Sequence, residues 1–243
     1  MPNLPLLAFL VLIAALLYSS VGHAGASGYL AAMALLGASA SIMKPTALAL
    51  NILVATVATT QFLRAGCFSW RVFWPFALTS IPFAFLGGTL AISGTIYKQL
   101  VGVVLLYSAW RLWTRARMHV LAHRPPRAVA LVLGGAIGLL SGIVGVGGGI
   151  FLSPLLLFMG WAEMRETAGT SALFILVNSV AGLAGQVASL AMLPPATPVL
   201  AVMAFAGGLI GSTYGARRLA TPTLRRLLAV VLVIAGVKML TVR

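Results

Sequence analysis

Apolar residues run along this chain in long stretches, separated by short clusters of charged residues, proline or glycine. The stretches predict ten helical segments: 4–21, 29–43, 46–63, 72–92, 99–113, 128–141, 150–160, 167–190, 199–212 and 227–240. A bilayer core requires about 20 residues of helix, and several segments reach that length. Segments 29–43 and 150–160 fall short, and each follows a glycine-rich break. The first break reads Gly22-His23-Ala24-Gly25-Ala26-Ser27-Gly28, and the second reads Gly142-Ile143-Val144-Gly145-Val146-Gly147-Gly148-Gly149. Each glycine costs a helix about 1 kcal/mol relative to alanine, so the run Gly147 to Gly149 should interrupt one. The pattern therefore predicts an all-α polytopic membrane protein with two interruptions, each a broken helix or a re-entrant hairpin.

The breaks lie about half a chain apart, as a duplication would place them. An offset of 121 superimposes Ser20 on Ser141, Gly28 on Gly149, Leu35-Leu36 on Leu156-Leu157, Lys44 on Arg165 and Thr46-Ala47 on Thr167-Ala168. An offset of 120 superimposes Ala84-Phe85 and Gly87-Gly88 on Ala204-Phe205 and Gly207-Gly208. The expectation is two transmembrane repeats, 1–121 and 122–243, joined in one membrane domain.

Composition agrees with this class. Hydrophobic residues make up 61% of the 243 positions and charged residues 7%, with a mean hydropathy of +1.09. A soluble domain carries about 25% charged residues, so this chain could not clothe a water-exposed surface. The net charge of +14 comes from basic residues scattered over short loops, without the aromatic-interleaved stripe of a nucleic-acid face. They read instead as determinants of membrane topology. The stretch Leu4 to Tyr18 follows no Lys or Arg and runs on into Ser19, Ser20 and Gly22, so it reads as a helix and not a cleaved leader. Cys67 is the only cysteine, which excludes an internal disulfide and a cysteine metal cluster.

Charge also orients the halves. Loop 111–127 holds Arg111, Arg115, Arg117, Arg124 and Arg127 and should be cytoplasmic. If each break lets its flanking segments enter and leave on one side, Arg64, Arg71, Arg165, Arg217, Arg218, Arg225 and Arg226 also fall inside. Lys44, Lys98 and Arg243 then fall outside, with Lys238 near the outer end of the last segment. If each broken segment crossed once, the arginines at 217–226 would lie outside, against the rule. The first arrangement makes the two repeats inverted and puts both termini outside.

Inverted repeats with interrupted helices are a transporter plan, with the substrate site at the repeat interface. Each break presents backbone N–H groups at a helix start, where the dipole supplies about half a positive charge. Such a pair of tips would suit an anion. Glu163 and Glu166 are the only carboxylates, and both lie in a polar loop. A carboxylate proton relay or cation site is thereby disfavoured, and these residues are expected to offset Arg165 and favour the following helix start. His23 is the one ionisable residue within a break, suited to donating to an anion or carrying a coupled proton. His119 and His123 belong to the basic loop. The expected substrate-binding residues are Gly22, His23, Gly25, Ser27, Gly28, Asn51, Gly145, Gly147, Gly148, Gly149, Thr170 and Ser171. Asn51 and Thr170-Ser171 are expected at the starts of the helices that follow each broken segment. Gly134, Gly135 and Gly138 are expected to serve helix packing, and Gln61, Asn178 and Gln186 to hydrogen-bond between helices. A side chain at Gly148 is expected to obstruct the pathway more than it harms folding. No metal, cofactor or catalytic group is expected, and the chain is not read as an enzyme.

The run Gly142-Ile143-Val144-Gly145-Val146-Gly147-Gly148-Gly149-Ile150-Phe151-Leu152-Ser153-Pro154, followed by Thr167-Ala168-Gly169-Thr170-Ser171, resembles the sulfite exporter TauE/SafE family, also called the 4-toluene sulfonate uptake permease family. The first-half run Gly22 to Leu30, with Pro45-Thr46-Ala47-Leu48-Ala49-Leu50-Asn51, is similar to that family's N-terminal motif. The resemblance covers essentially the whole chain. It implies a multi-pass secondary transporter of small sulfur-containing anions, such as sulfite or organosulfonates, exporting across the bacterial inner membrane. It also implies two four-helix halves, whereas the segments number ten. Ala24 and Ala26 stand where a richer glycine run would be expected, and Met33 stands opposite Pro154. Two other readings use the same features: an anion channel, and a membrane assembly factor without transport. The expected partners are a small anion and the lipid bilayer, with self-association left open.

Tags at residues 1 and 243 should both report periplasm, and a tag within 115–124 should report cytoplasm. A cytoplasmic N-terminus would overturn the inverted arrangement, because the first half would then change sides an even number of times.

Overall fold

The computed structural model describes residues 3–90, 92–114, 123, 125–187, 193–217 and 222–241. Arg115, Arg117, Arg124, Arg218 and Arg243, which enter the charge argument, lie outside them, as do His119 of the basic loop and the end of segment 167–190. Among the described residues every regular element is a helix: α1 (Leu4–Ser19), α2 (Ala26–Leu35), α3 (Ala40–Arg64), α4 (Trp70–Thr89), α5 (Gly94–Thr114), α6 (Arg127–Val144), α7 (Gly149–Phe158), α8 (Met164–Ala184), α9 (Thr197–Arg217) and α10 (Pro222–Thr241). Each predicted segment corresponds to one helix. Among the described residues five stretches are long and apolar enough to cross a membrane: Ser41–Arg64, Trp70–Thr89, Arg127–Val144, Met164–Ala184 and Thr197–Ala216.

The largest departure from the expected boundaries lies between α2 and α3. The break between the second and third segments is not at Lys44-Pro45 but at 36–39. Gly37 adopts a left-handed φ of 75°, and the Ala38 N–H donates to Met33 O at 2.9 Å, closing α2. Then α3 starts at Ala40 and runs through Pro45. Proline lacks one N–H and disturbs one carbonyl, which is tolerable this close to a helix start inside a packed core. Lys44, expected in an outer loop, is consequently a buried residue of α3. The turn after α7 is built alike: Gly160 has a φ of 65°, and the Trp161 N–H donates to Leu156 O at 2.8 Å.

Helices α2 and α7 have ten residues each. At 1.5 Å per residue each covers about 15 Å, half of a hydrocarbon core about 30 Å thick. Gly28 of α2 lies against Ala14 and Tyr18 of α1, so α2 folds back along the helix it follows.

Close backbone contact organises the long helices. Gly134, Gly138 and Gly142 of α6 meet the backbone of Phe76, Ser80 and Ala84 of α4, one contact per turn, with the helices parallel. Gly207, Gly211 and Gly215 of α9 meet the backbone of Leu12, Leu16 and Ser20 of α1 in the same way. Small residues permit this approach, and in lipid such packing replaces the hydrophobic drive of water. At the centre α3 crosses α8 antiparallel, Leu48 near Gly182, Asn51 near Ser179 and Phe62 near Gly169. On the flank α5 and α10 are also antiparallel, Gly102 meeting Leu240 and Gly236 meeting Leu106. Further, α4 packs on α8 and α9 packs on α3.

Neighbouring glycines of α6 should therefore respond differently to the same added methyl. At Gly138 a Cβ would lie 2.6 Å from Ser80 Cα, which only separating α4 from α6 can relieve. At Gly135 the nearest atom is in the Phe83 ring at 3.5 Å, an ordinary contact. Gly138→Ala should cost about 1–3 kcal/mol, whereas Gly135→Ala should stay within about 0.5 kcal/mol or gain from helix propensity. Thermal unfolding in detergent measures both, and equal effects would contradict the packing described.

Candidate functional site

The two breaks are built on one backbone plan. In the first, Gly22 and Gly25 have φ values of 80° and 116°; in the second, Gly145 and Gly148 have 85° and 78°. The second member of each pair is the N-cap of a short helix, Gly25 for α2 and Gly148 for α7. A side chain would strain the left-handed backbone at both. Each glycine lies 123 positions from its counterpart, as do the turn glycines Gly37 and Gly160. The breaks thus correspond two residues away from the register of sequence identity: His23 stands opposite Val146, not Val144, and Ala26, not Gly28, stands opposite Gly149. Gly147, also left-handed with a φ of 74°, stands opposite Ala24.

Neither N-cap offers a side chain to its helix, and α2 and α7 start without a side-chain cap. The first-turn N–H groups of a helix have no intrahelical partner and sit at the positive end of the dipole. Both starts are buried. Each tip is held by a tyrosine hydroxyl: Tyr29 donates to Ala24 O at 2.6 Å in the first, and Tyr97 of α5 donates to Val144 O at 3.1 Å in the second.

The tips meet through His23. Its Nε2 lies 3.1 Å from Gly149 O and 3.0 Å from Ser153 Oγ, and Ser153 Oγ lies 2.7 Å from Ser171 Oγ. A carbonyl only accepts, so the contact with Gly149 requires the imidazole hydrogen on Nε2. The result is a polar chain from the first tip through α7 to the second turn of α8. Beside it Asn51 Nδ2 donates to Ser179 Oγ at 3.4 Å, and a Cβ on Gly147 would lie 3.1 Å from Asn51 Nδ2 and 2.8 Å from Ser179 Oγ. Among the described residues nine buried side-chain polar atoms lack a hydrogen-bond partner, Thr170 Oγ1 among them, and two belong to residues that adjoin the second tip: Asn51 Oδ1 beside Gly147 and Ser141 Oγ beside Gly148. Unpaired polar atoms are costly in so apolar a setting.

The remaining candidates divide. Gly22 faces the Ala168 backbone, Gly145 faces Lys44, and Gly149 faces Ile175 and His23. Ser27 and Gly28 occupy the first turn of α2, with Gly28 packed on α1. Asn51 is at the middle of α3 and Thr170-Ser171 in the second turn of α8, not at the helix starts, because α3 and α8 extend further toward their N-termini than expected. A Cβ at Gly148 would meet Phe174 at 2.9 Å and Ile137 at 3.0 Å, so a larger residue there collides with packed side chains and harms folding itself. Asn178 Nδ2 donates to Phe174 O of its own helix at 2.8 Å and does not bridge helices. Arg165 donates to Ala216 O at the end of α9 at 2.9 Å.

Ser153, Tyr97 and Ser179 escaped the sequence reading, and Lys44 entered it only as a repeat match and an outer-side charge. Ser153 did carry a signal, being the only polar side chain within 150–160. Tyr97 carried none, since its partner is 47 residues away.

The profile of a family described as sulfite exporter TauE/SafE matches residues 7–239. A relative from Sinorhizobium fredii, described as a probable membrane transporter protein, is 42% identical over 239 residues, covering 96% of this chain and 97% of the relative. A second, from Methanocaldococcus jannaschii and also described as a probable membrane transporter protein, is 28% identical over 119 residues, covering 47% of this chain and 44% of the relative. No solved structure matches the chain.

Tyr97→Phe removes one donor from the last carbonyl before the second tip. The expected loss is about 1 kcal/mol, with faster amide hydrogen exchange at 145–149 and unchanged exchange in α4. Unaltered exchange at the tip would show that this hydroxyl does not hold it.

Proposed function

The chain belongs to the sulfite exporter TauE/SafE family, and on that premise we propose that it is a secondary transporter carrying small sulfur-containing anions, sulfite or an organosulfonate, outward across the bacterial inner membrane. The observation that carries this reading is the meeting of two uncapped helix starts through His23 and Gly149 (3.1 Å), with Ser153 and Ser171 adjoining. An oxyanion there takes N–H groups from the starts of α2 and α7 and O–H groups from the serines. These are oriented dipoles with no carboxylate among them, and they compete with water for a small hard anion without binding it irreversibly. Asn51, Gly145, Gly147 and Gly149 line the second tip, Gly22 and Gly25 form the first, and Thr170 offers a further hydroxyl.

Residues 1–121 and 122–243 are read as two inverted repeats around this centre. The reading is supported by the antiparallel pairing of α3 with α8 and of α5 with α10, each helix being the counterpart of its partner in chain order. It is supported also by the packing of α4 on α6 and of α9 on α1. Rocking one half against the other would expose the tips to each side in turn.

Sulfite flux from liposomes, divided by the amount of folded protein, tests this directly. The wild type should show saturable flux. His23→Ala and Ser153→Ala should each lower kcat/KM by about tenfold, equivalent to about 1.4 kcal/mol. His23→Ala should also flatten the pH dependence between about 5 and 8. Wild-type rates and pH profile in both variants would remove the site, and a wild type that moves none of sulfite, thiosulfate, sulfoacetate and taurine would remove the function.

A further inference from the structure

Lys44 is buried, with 8% of its surface exposed, and stands in the second turn of α3. Its Nζ donates to Gly87 O at 3.3 Å and Gly88 O at 3.2 Å, two carbonyls in the last turn of α4. An ammonium has three donors, so one remains beyond these two partners among the described residues. The second glycine tip adjoins the same residue: a methyl group on Gly145 would come within 3.1 Å of Lys44 Cγ and 3.3 Å of its carbonyl oxygen.

The chain holds two carboxylates, Glu163 and Glu166, against sixteen Lys and Arg. Both carboxylates are at the start of α8, which runs antiparallel to α3 and places its first turns near Phe62, at the far end from Lys44. Among the described residues, Lys44 is therefore a buried basic residue with no carboxylate within reach. A capping role does not require that burial. Arg165 caps α9 as Lys44 caps α4, and does so from an exposed position at its helix start. An ionisable group held inside a membrane domain is expensive and marks an ion pathway when it is retained.

We propose that Lys44 is an anion-binding residue of the transport route, supplying the positive charge that draws the anion to the second glycine tip from the side on which α3 begins. This rests on the anion-transport reading above and adds a residue to it. The α4 carbonyls hold the ammonium when no anion is present. An arriving anion takes the remaining N–H and passes on to the uncapped start of α7. Because that charge has no fixed carboxylate, its electrostatic attraction goes to the substrate.

Lys44→Gln keeps an N–H donor for Gly87 and Gly88 but removes the charge, and Lys44→Arg keeps the charge. With sulfite in liposomes, Lys44→Gln should raise KM by about tenfold while kcat changes less, and Lys44→Arg should stay within about threefold of the wild type. An unchanged KM in Lys44→Gln, or equal impairment in both variants, overturns the proposal in favour of a structural cap. A second measurement needs no variant. A small amine-acylating reagent is applied to the wild-type protein, and labelling is read by peptide mass spectrometry. Saturating sulfite should slow labelling of Lys44 but not of Lys98; equal labelling of Lys44 with and without sulfite, or none at all, overturns the proposal. A wild type that transports sulfite normally while Lys44→Gln keeps its KM sinks this inference alone. A wild type that transports no anion sinks the function with it.

Discussion

A backbone N–H or C=O in hydrocarbon has no water to bond, so a chain can leave the helix inside a membrane only where protein or a wet cavity encloses the break. Both glycine tips obey that constraint, and much of the architecture serves it. The long helices α3, α4, α8 and α9 wall the tips, α1 and α6 lead into them, and Tyr29 and Tyr97 bind the loose carbonyls. The starts of α2 and α7 are buried and carry no side-chain cap, which is what the proposed anion site would use. Structural cost and functional opportunity thus arise from the same interrupted backbone.

Close helix approach is the second condition. The contacts of Gly134, Gly138 and Gly142 with α4, and of Gly207, Gly211 and Gly215 with α1, bring main chains nearly together. Helices so seated move as blocks, since small shifts of one mean collision with its neighbour. That rigidity suits the proposed carrier, whose halves would rock without opening their own backbones to lipid.

With so few carboxylates, the basic side chains are balanced in another way. Lys44 caps α4, Arg165 caps α9, and Lys238 of α10 donates to Leu35 O at the end of α2 at 2.7 Å. Helix C-termini stand where acidic residues would in a soluble protein. Dipole ends neutralise less than a full charge, which is consistent with the anion transport proposed above.

The segment count, the helical class and the place of both breaks were legible in sequence because they are local: apolar runs of fixed length, and glycine where helices fail. Backbone register was less so. The identities chosen for the offset of 121 include chance matches in an apolar chain, whereas the left-handed glycines, set by turn geometry, correspond at 123. Pro45 misplaced one boundary, because proline breaks an isolated helix yet survives near the start of a packed one. What tertiary structure alone decided is partnership: His23 with Gly149 and Ser153, Tyr97 with Val144, Lys44 with the end of α4. These contacts join residues 43 to 130 positions apart. Composition and periodicity describe each helix by itself, and the crossing of α3 with α8 determines which polar atoms meet.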